Sequence, residues 1–322
     1  MRILLVKTSS LGDVIHNLPV AADLARRLSG LTLDWVVEEG FAELPRLHPA
    51  VRRVLPVAVR RWRRQLLSGA TWAEMRRFKA DLAAETYDVV LDTQGLLKSA
   101  LITAQARLAP GGVRCGFGRA SAREPIASRF YDRCFEIPRD LHAVERNRRL
   151  AAAAFGYSID DLPLDYGIHA DPLRADWLPH QEYAVLLTAT SSADKLWPEP
   201  DWRGLGSALI ATGLNCVLPG GSAPERERAQ RLATGLGRAV AAPPMGLADV
   251  AKLLAGARLV VGVDTGLVHL AAALGRPTVG IYCASDPTLT GVLAGGHAVN
   301  LGAMGCPPSA AAVVEAALSL IG

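Results

Sequence analysis

The pattern of apolar and polar positions alternates between two types along the whole chain. Short β-branched and Leu-rich runs, Arg2–Val6, Leu33–Val37 and Tyr87–Leu91, read as buried strands. Between them lie stretches of helical period. The segment after the first strand carries Val14, Leu18, Ala21, Ala25 and Leu28 on one predicted face, and Leu96–Ala106 is a second predicted helix. The alternation lapses around 163–179, where Pro163, Pro172 and Pro179 stand among several aspartates, and then resumes. Strand Tyr183–Leu187, helix Asp201–Thr212, strand Asn215–Leu218 and helix Ala223–Leu236 follow. The apolar run Leu259–Val263 then meets Asp264-Thr265-Gly266 and an Ala/Leu-rich helix, and Gly275 and Pro277 precede a further strand, Thr278–Tyr282.

Two such series with no antiparallel run predict an α/β protein of two doubly wound, Rossmann-like domains. The expected boundaries are an N-terminal domain over 1–165, a linker over 166–180 and a C-terminal domain over 181–308. A final amphipathic helix over 309–322 is expected to pack back on the first domain. Sheets of this kind bind ligands beyond the carboxyl ends of their strands. Attention therefore falls on Lys7–Asp13, Glu38–Phe41, Asp92–Lys98, Thr188–Trp197, Pro219–Glu225 and Asp264–His269.

Composition narrows the class. At 322 residues, 50% hydrophobic and 20% charged, the chain has material for two packed cores. No run approaches the length of a membrane span, and the N-terminal MRILLVK is too short for a signal peptide. Five widely spaced cysteines without a C-x-x-C pair read as free thiols of a reducing cytoplasm, not as a zinc site. The net charge of +4 conceals an asymmetry: residues 1–160 hold 25 Lys/Arg against 17 Asp/Glu, and residues 161–322 hold 10 against 14. The first half is thus the one suited to an anionic partner.

In the second half, a strand running through a short polar turn into a helix presents unpaired N–H groups and the positive end of the helix dipole. Asp264–Gly266 is such an anion site. Lys195 follows Thr188, Thr190, Ser191 and Ser192 in a loop facing the same crevice, where an ammonium would serve a diphosphate. Glu225 is either a helix cap or an acceptor for a ribose diol. Met245, after Pro243-Pro244, is either core or a contact for an adenine face. His269 stands four residues from Thr265 on one helical face, beside the phosphate site.

In the first half, Asp13 is either an N-cap or a general base. The arginines at 60, 61, 63 and 64 suit carboxylates, phosphates or an anionic membrane surface. They lack the interleaved aromatics of a nucleic-acid site. The chain has no G-x-G-x-x-G after its first strand, no P-loop and no D-x-D, which speaks against nicotinamide chemistry, P-loop hydrolysis and a metal held by an acidic pair.

The segments KTSSLGDVIHNLP, WVVEEGF, RRWRR, TQGLLKSA, AREP, HAVER, DKLWPE and VDTGLVHL together resemble the lipopolysaccharide heptosyltransferases, in particular the type I enzymes, from Met1 to about Pro287. The resemblance implies a GT-B fold, two Rossmann-like domains facing a central cleft that closes over both substrates. It implies inverting, metal-independent transfer of heptose from ADP-L-glycero-β-D-manno-heptose to the first Kdo of Kdo2-lipid A. The place implied is the cytoplasmic face of the inner membrane of a Gram-negative bacterium, with no cofactor and no nucleic acid.

Matched position by position, Asp13 is the base and Lys195 meets the leaving diphosphate. Thr190, Ser191, Lys195, Glu225, Met245, Asp264, Thr265, Gly266 and His269 line the donor site. Arg60, Arg61, Arg63, Arg64, Arg123 and Arg146 match the basic acceptor region, and Lys7, Ser10 and Lys98 are expected to face the acceptor with them. Two departures stand out. Ser191-Ser192 stand where a threonine is expected next to Thr190, and Tyr282-Cys283-Ala284 replace a Gly-Pro-like turn before Asp286-Pro287. A heptosyltransferase for a later core acceptor, a sugar-nucleotide epimerase and a non-catalytic sugar-nucleotide binder remain as alternatives.

Overall fold

The computed structural model describes residues 1–190 and 192–322, which form two compact units, Met1–Ile168 and His169–Gly322. The sheet of the first unit contains β1 (Arg2–Val6), β2 (Thr32–Glu38), β3 (Val51–Val57), β4 (Tyr87–Asp92), β5 (Leu108–Phe117) and β6 (Arg133–Phe135), in the order β3-β2-β1-β4-β5-β6. The second contains β7 (Tyr183–Leu187), β8 (Asn215–Leu218), β9 (Ala239–Ala241), β10 (Leu259–Val263), β11 (Thr278–Tyr282) and β12 (Ala298–Gly302), in the order β12-β11-β10-β7-β8-β9. Counted from its own first strand, each sheet has the same order, and every strand pairing is parallel. These are two Rossmann-like, doubly wound units, the pair of which a GT-B fold is made.

Central strands buried on both faces are near-continuous apolar runs, as a parallel sheet requires. Ile3, Leu4, Leu5 and Val6 of β1 are all inaccessible, as are Leu259, Val260, Val261 and Val263 of β10. In the first unit Leu4, Val6, Val36 and Val90 pack against Trp62, Leu82 and Ile102. In the second, Leu186, Val261 and Val279 pack against Trp197, Trp202, Leu205 and Leu232.

In each sheet the strand order reverses between two neighbours, β1 and β4 in the first, β7 and β10 in the second. Their registers align the ends: Val6 lies opposite Asp92, and Leu187 opposite Gly262. Within each unit the loops leaving its two central strands therefore emerge side by side, which is where ligands bind in open α/β sheets.

Three expectations change. The helix after β1 is two helices, Leu11–Ile15 and Leu18–Arg27, because Pro19 is placed in a first turn, where its missing N–H costs nothing. The break resets the face, so Leu24 is buried while Ala25 is exposed. The outer strands β3, β6, β9 and β12, and β5 with its Pro-Gly-Gly, are additional to those the sequence predicts. Arg, Gly and Pro interrupt the apolar patterns of several of them. The C-terminal helix Ala310–Ile321 buries Val313 and Ala317 in the core of the second unit, not in that of the first. Its apolar face is complementary to helix Glu199–Ala211 and strands β10 and β11.

Two features bear on the loops. Gly116 of β5 leaves no room for a Cβ, because the ring of Tyr131 lies against it. All five cysteines are free thiols.

Candidate active site

In the first unit the loop 7–10 carries the chain from β1 into helix Leu11–Ile15. It is held by Gln94, which follows the adjacent β4. The Gln94 Oε1 accepts from Thr8 N at 2.7 Å, Thr8 Oγ1 at 3.0 Å and Ser9 N at 3.2 Å, and its Nε2 donates to Ser9 O. Gln94 is in turn set by Asp92, whose Oδ1 accepts from Gln94 N at 2.7 Å and whose Oδ2 accepts from Tyr131 Oη at 2.8 Å. Burial pushes the Asp92 carboxyl up, and these hydrogen bonds act against that shift.

Asp13 sits at the third position of the short helix. Its Oδ2 accepts from Ser10 N at 2.7 Å and Ser10 Oγ at 2.8 Å, so it serves as one half of a capping box. It is only half-buried, and cations surround it. Lys7 is buried, with Nζ donating to Thr93 O at 2.8 Å, and Lys98 Nζ donates to Ser9 Oγ at 2.6 Å. Burial lowers the Lys7 ammonium from its ordinary 10.5. Asp13 and Asp92 oppose that shift, while Arg146 and Arg123 add to it. Burial lowers Lys98 too, opposed by Glu38 and Asp13 and reinforced by Arg60 and Arg63. A carboxylate and several cations thus share the carboxyl end of the first sheet, an arrangement suited to taking a proton from a hydroxyl on an anionic molecule.

The arginines divide. Arg146 donates to Ser121 O at 2.7 Å and lies 4.9 Å over the Phe117 ring, while Arg123 is exposed. Arg60 lies over Phe41, and Arg63 and Arg64 are exposed. Arg61 is committed to Glu39 at 2.9 Å and Glu74 at 2.8 Å, and these hydrogen bonds raise its guanidinium further above the ordinary range.

In the second unit β10 ends at Val263, and Thr265 is the N-cap of helix Gly266–Ala273, extended in backbone and without a side-chain cap bond. The Asp264 Oδ2 accepts from Lys195 Nζ at 2.6 Å and from Ser285 Oγ at 2.6 Å. Buried His269 places Nε2 3.9 Å from Oδ1, and Thr190 Oγ1 donates to Asp264 O at 3.0 Å. Burial alone would raise the Asp264 carboxyl. Hydrogen bonds from His269, Lys195 and Ser285 override it and hold the group well below the ordinary carboxylate range. Asp264 is therefore an anchored anion that fixes an ammonium beside a helix N-terminus. Lysine has three donors, and the bond to Asp264 uses one of them.

The remaining donor-site candidates stand apart from this group. Glu225 Oε2 accepts from Gly221 N at 2.8 Å and Ser222 N at 3.0 Å, the capping role. Met245 lines a cavity of about 940 Å³ with Trp177, Pro243, Pro244 and Lys252, whose walls include none of the Asp264 group. Ser191 lies outside the described residues. Sequence reasoning missed Gln94, Asp92 and Ser285. Gln94 and Asp92 fall in a ligand loop that it did single out, whereas Ser285 adjoins the turn that departs from the family pattern.

The sequence profile of glycosyltransferase family 9 (heptosyltransferase) matches residues 75–315. The chain is 51% identical over 302 residues to lipopolysaccharide heptosyltransferase 1 of Pseudomonas aeruginosa, covering 94% of this chain and 84% of that one. It is 49% identical over 291 residues to lipopolysaccharide heptosyltransferase 1 of Escherichia coli K12, covering 90% of each. The structure of E. coli heptosyltransferase WaaC with ADP superposes with a TM-score of 0.90 at 45% identity, covering 98% of both chains. This chain belongs to glycosyltransferase family 9, the heptosyltransferases.

Proposed function

We propose that the chain transfers L-glycero-D-manno-heptose from ADP-heptose to the first Kdo of Kdo2-lipid A, working at the cytoplasmic face of the inner membrane. The similar heptosyltransferases of type 1, and the related WaaC structures with ADP and with ADP-2-deoxy-2-fluoro heptose, support the donor. The cationic carboxyl end of the first sheet supports an acceptor rich in carboxylate and phosphate.

The reaction is a single displacement with inversion. The Asp13 carboxylate takes the proton of the attacking Kdo hydroxyl as that oxygen bonds to the anomeric carbon. The bond from that carbon to the diphosphate oxygen breaks, and ADP leaves with the electron pair. Its charge is met by Lys195 and by the N–H groups of Thr265 and Gly266, with no divalent ion required. Thr190, Asp264 and His269 shape that end of the donor site, while Ser191, Glu225 and Met245 belong to its nucleoside side. Lys7, Ser10, Lys98, Arg123, Arg146 and the exposed Arg60, Arg63 and Arg64 hold the acceptor, and Arg61 supports their loop.

One observation carries the reading. Asp13 and Lys195 each follow the first strand of their sheet, at the place where the strand order reverses. The test is ADP release from ADP-heptose with and without Kdo2-lipid A, in buffer containing a chelator. Acceptor-dependent, chelator-insensitive release is expected. Conversion of ADP-heptose without acceptor, or no release at all, would overturn the proposal.

A further inference from the structure

Of the ten large apolar side chains exposed among the described residues, six belong to one part of the first unit: Leu66, Leu67, Trp72, Leu97, Leu101 and Ile126. Leu67 is fully exposed, at 104%. Trp72 lies in the first turn of helix Gly69–Ala83, and its Nε1 donates to Leu66 O at 2.8 Å, which holds the loop in place with both leucines at the surface. The inner side of that helix, at Met75, Phe78 and Leu82, packs in the same core layer as Ile102 of helix Leu97–Gln105. Leu97 and Leu101 are one turn apart on the latter helix, so their side chains share a face. Ile126 lies in the short helix Pro125–Phe130 that packs beside it.

The charge around these residues has one sign. Residues 60–79 contain six arginines and one lysine against a single carboxylate, Glu74, while residues 65–73 carry no charge. Glu74 is already taken by Arg61 and by Trp62 Nε1 at 2.9 Å. Trp72 and Arg76 stand one turn apart, both exposed. The structure therefore presents an apolar tip flanked by unneutralised guanidinium groups.

We propose that this face docks on an anionic phospholipid bilayer, with Leu66, Leu67 and Trp72 entering the headgroup boundary and Arg76 and Lys79, exposed on the same helix face as Trp72, meeting lipid phosphates. Interfacial insertion needs only a few apolar side chains beside basic residues, and tryptophan suits that boundary because its ring is apolar and its N–H polar. A nucleic acid would use the arginines but leave Leu66 and Leu67 without a role. Leu97 and Lys98 are adjacent in the chain, so this apolar face continues into a lysine proposed above for the acceptor. The inference deepens the proposed function, because it rests on a lipid-linked acceptor whose acyl chains stay in the bilayer.

The experiment is co-sedimentation of the intact chain with vesicles of phosphatidylcholine alone and of phosphatidylcholine with phosphatidylglycerol, without any sugar substrate. The native chain is expected to prefer the anionic vesicles by about tenfold or more, and Leu66→Glu/Leu67→Glu to lose that binding by at least about tenfold. Thermal melting checks that the variant is folded, and Leu67→Ser replaces it if it is not. Quenching of tryptophan fluorescence by brominated phospholipid is expected in the native chain and reduced in Trp72→Phe. Equal vesicle binding by the native chain and the variants would overturn the proposal. So would vesicle binding that ignores lipid charge, or a loss of self-association in the variant with no change on vesicles. ADP release with a deacylated, soluble acceptor should be unchanged in Leu67→Ser; if the native chain shows no such release, the proposed function fails and the docking result still stands.

Discussion

Lys195 Nζ lies 2.6 Å from Asp264 Oδ2, an ion pair between two loops that leave neighbouring strands of the second sheet. The carboxylate orients the ammonium and leaves two of its donors for a diphosphate. Lys195→Ala is expected to weaken ADP binding about ten- to hundredfold by calorimetry, the worth of a charge-assisted hydrogen bond or two. It should also lower stability, because Asp264 keeps Ser285 but loses its cation. The double variant Lys195→Ala/Asp264→Asn should regain stability without regaining ADP affinity. Parallel recovery of both would show the pair to be purely structural.

The same pair has a pH signature. Hydrogen bonds hold the Asp264 carboxyl below its ordinary 3.8 against the effect of burial. A carboxyl depressed in the folded state contributes stability above its unfolded value, and that contribution is lost as pH falls towards the folded value. The stability difference between the native chain and Asp264→Asn, from urea unfolding, should therefore be constant well above pH 3.8 and shrink below it. A difference that grows on acidification would contradict the assignment.

Asp13 caps a helix and is proposed as the base, and one substitution separates the two roles. Asp13→Asn keeps an oxygen for Ser10 N but cannot take a proton. Turnover should fall about 10²–10⁴-fold. The melting temperature should stay near that of the native chain, whereas Asp13→Ala should lose about 1 kcal/mol from the missing cap. Near-normal turnover in Asp13→Asn would remove the base from the mechanism.

The arginine run should split in the same way that its contacts do. Arg63→Glu/Arg64→Glu is expected to raise the acceptor KM and leave ADP affinity unchanged, since both side chains are exposed. Arg61→Ala is expected to lower the melting temperature, because it releases both Glu39 and Glu74. Steady-state kinetics beside thermal melts decide this, and equal KM effects without a stability change in Arg61→Ala would reverse the division.

The central strands β1, β4, β7, β10 and β11 were legible because burial on both faces demands near-continuous apolar runs, and the site loops followed from where those runs end. Asp13, Lys195 and Asp264 were visible for that reason. The function of Gln94 was not, since its meaning depends on the register that sets Val6 opposite Asp92 and so brings Gln94 to Thr8 and Ser9. Ser285 was hidden for a similar reason: its partner Asp264 leaves the neighbouring strand. Arg61 read as one more acceptor-facing cation because nothing in RRWRR indicates that Glu39 and Glu74 would flank it. Local chemistry is written in the motif, but the assignment of partners is written in the sheet.

The contact between Gly116 and Tyr131 extends that dependence. Any side chain at Gly116 must displace the ring, and with it the hydroxyl that donates to Asp92. Asp92 sets Gln94, and Gln94 grips the loop before Asp13. A heritable change at a glycine outside the Asp13 loop would thus be felt at that loop, and a suppressor of such a change is to be sought at position 131 rather than within the loop itself.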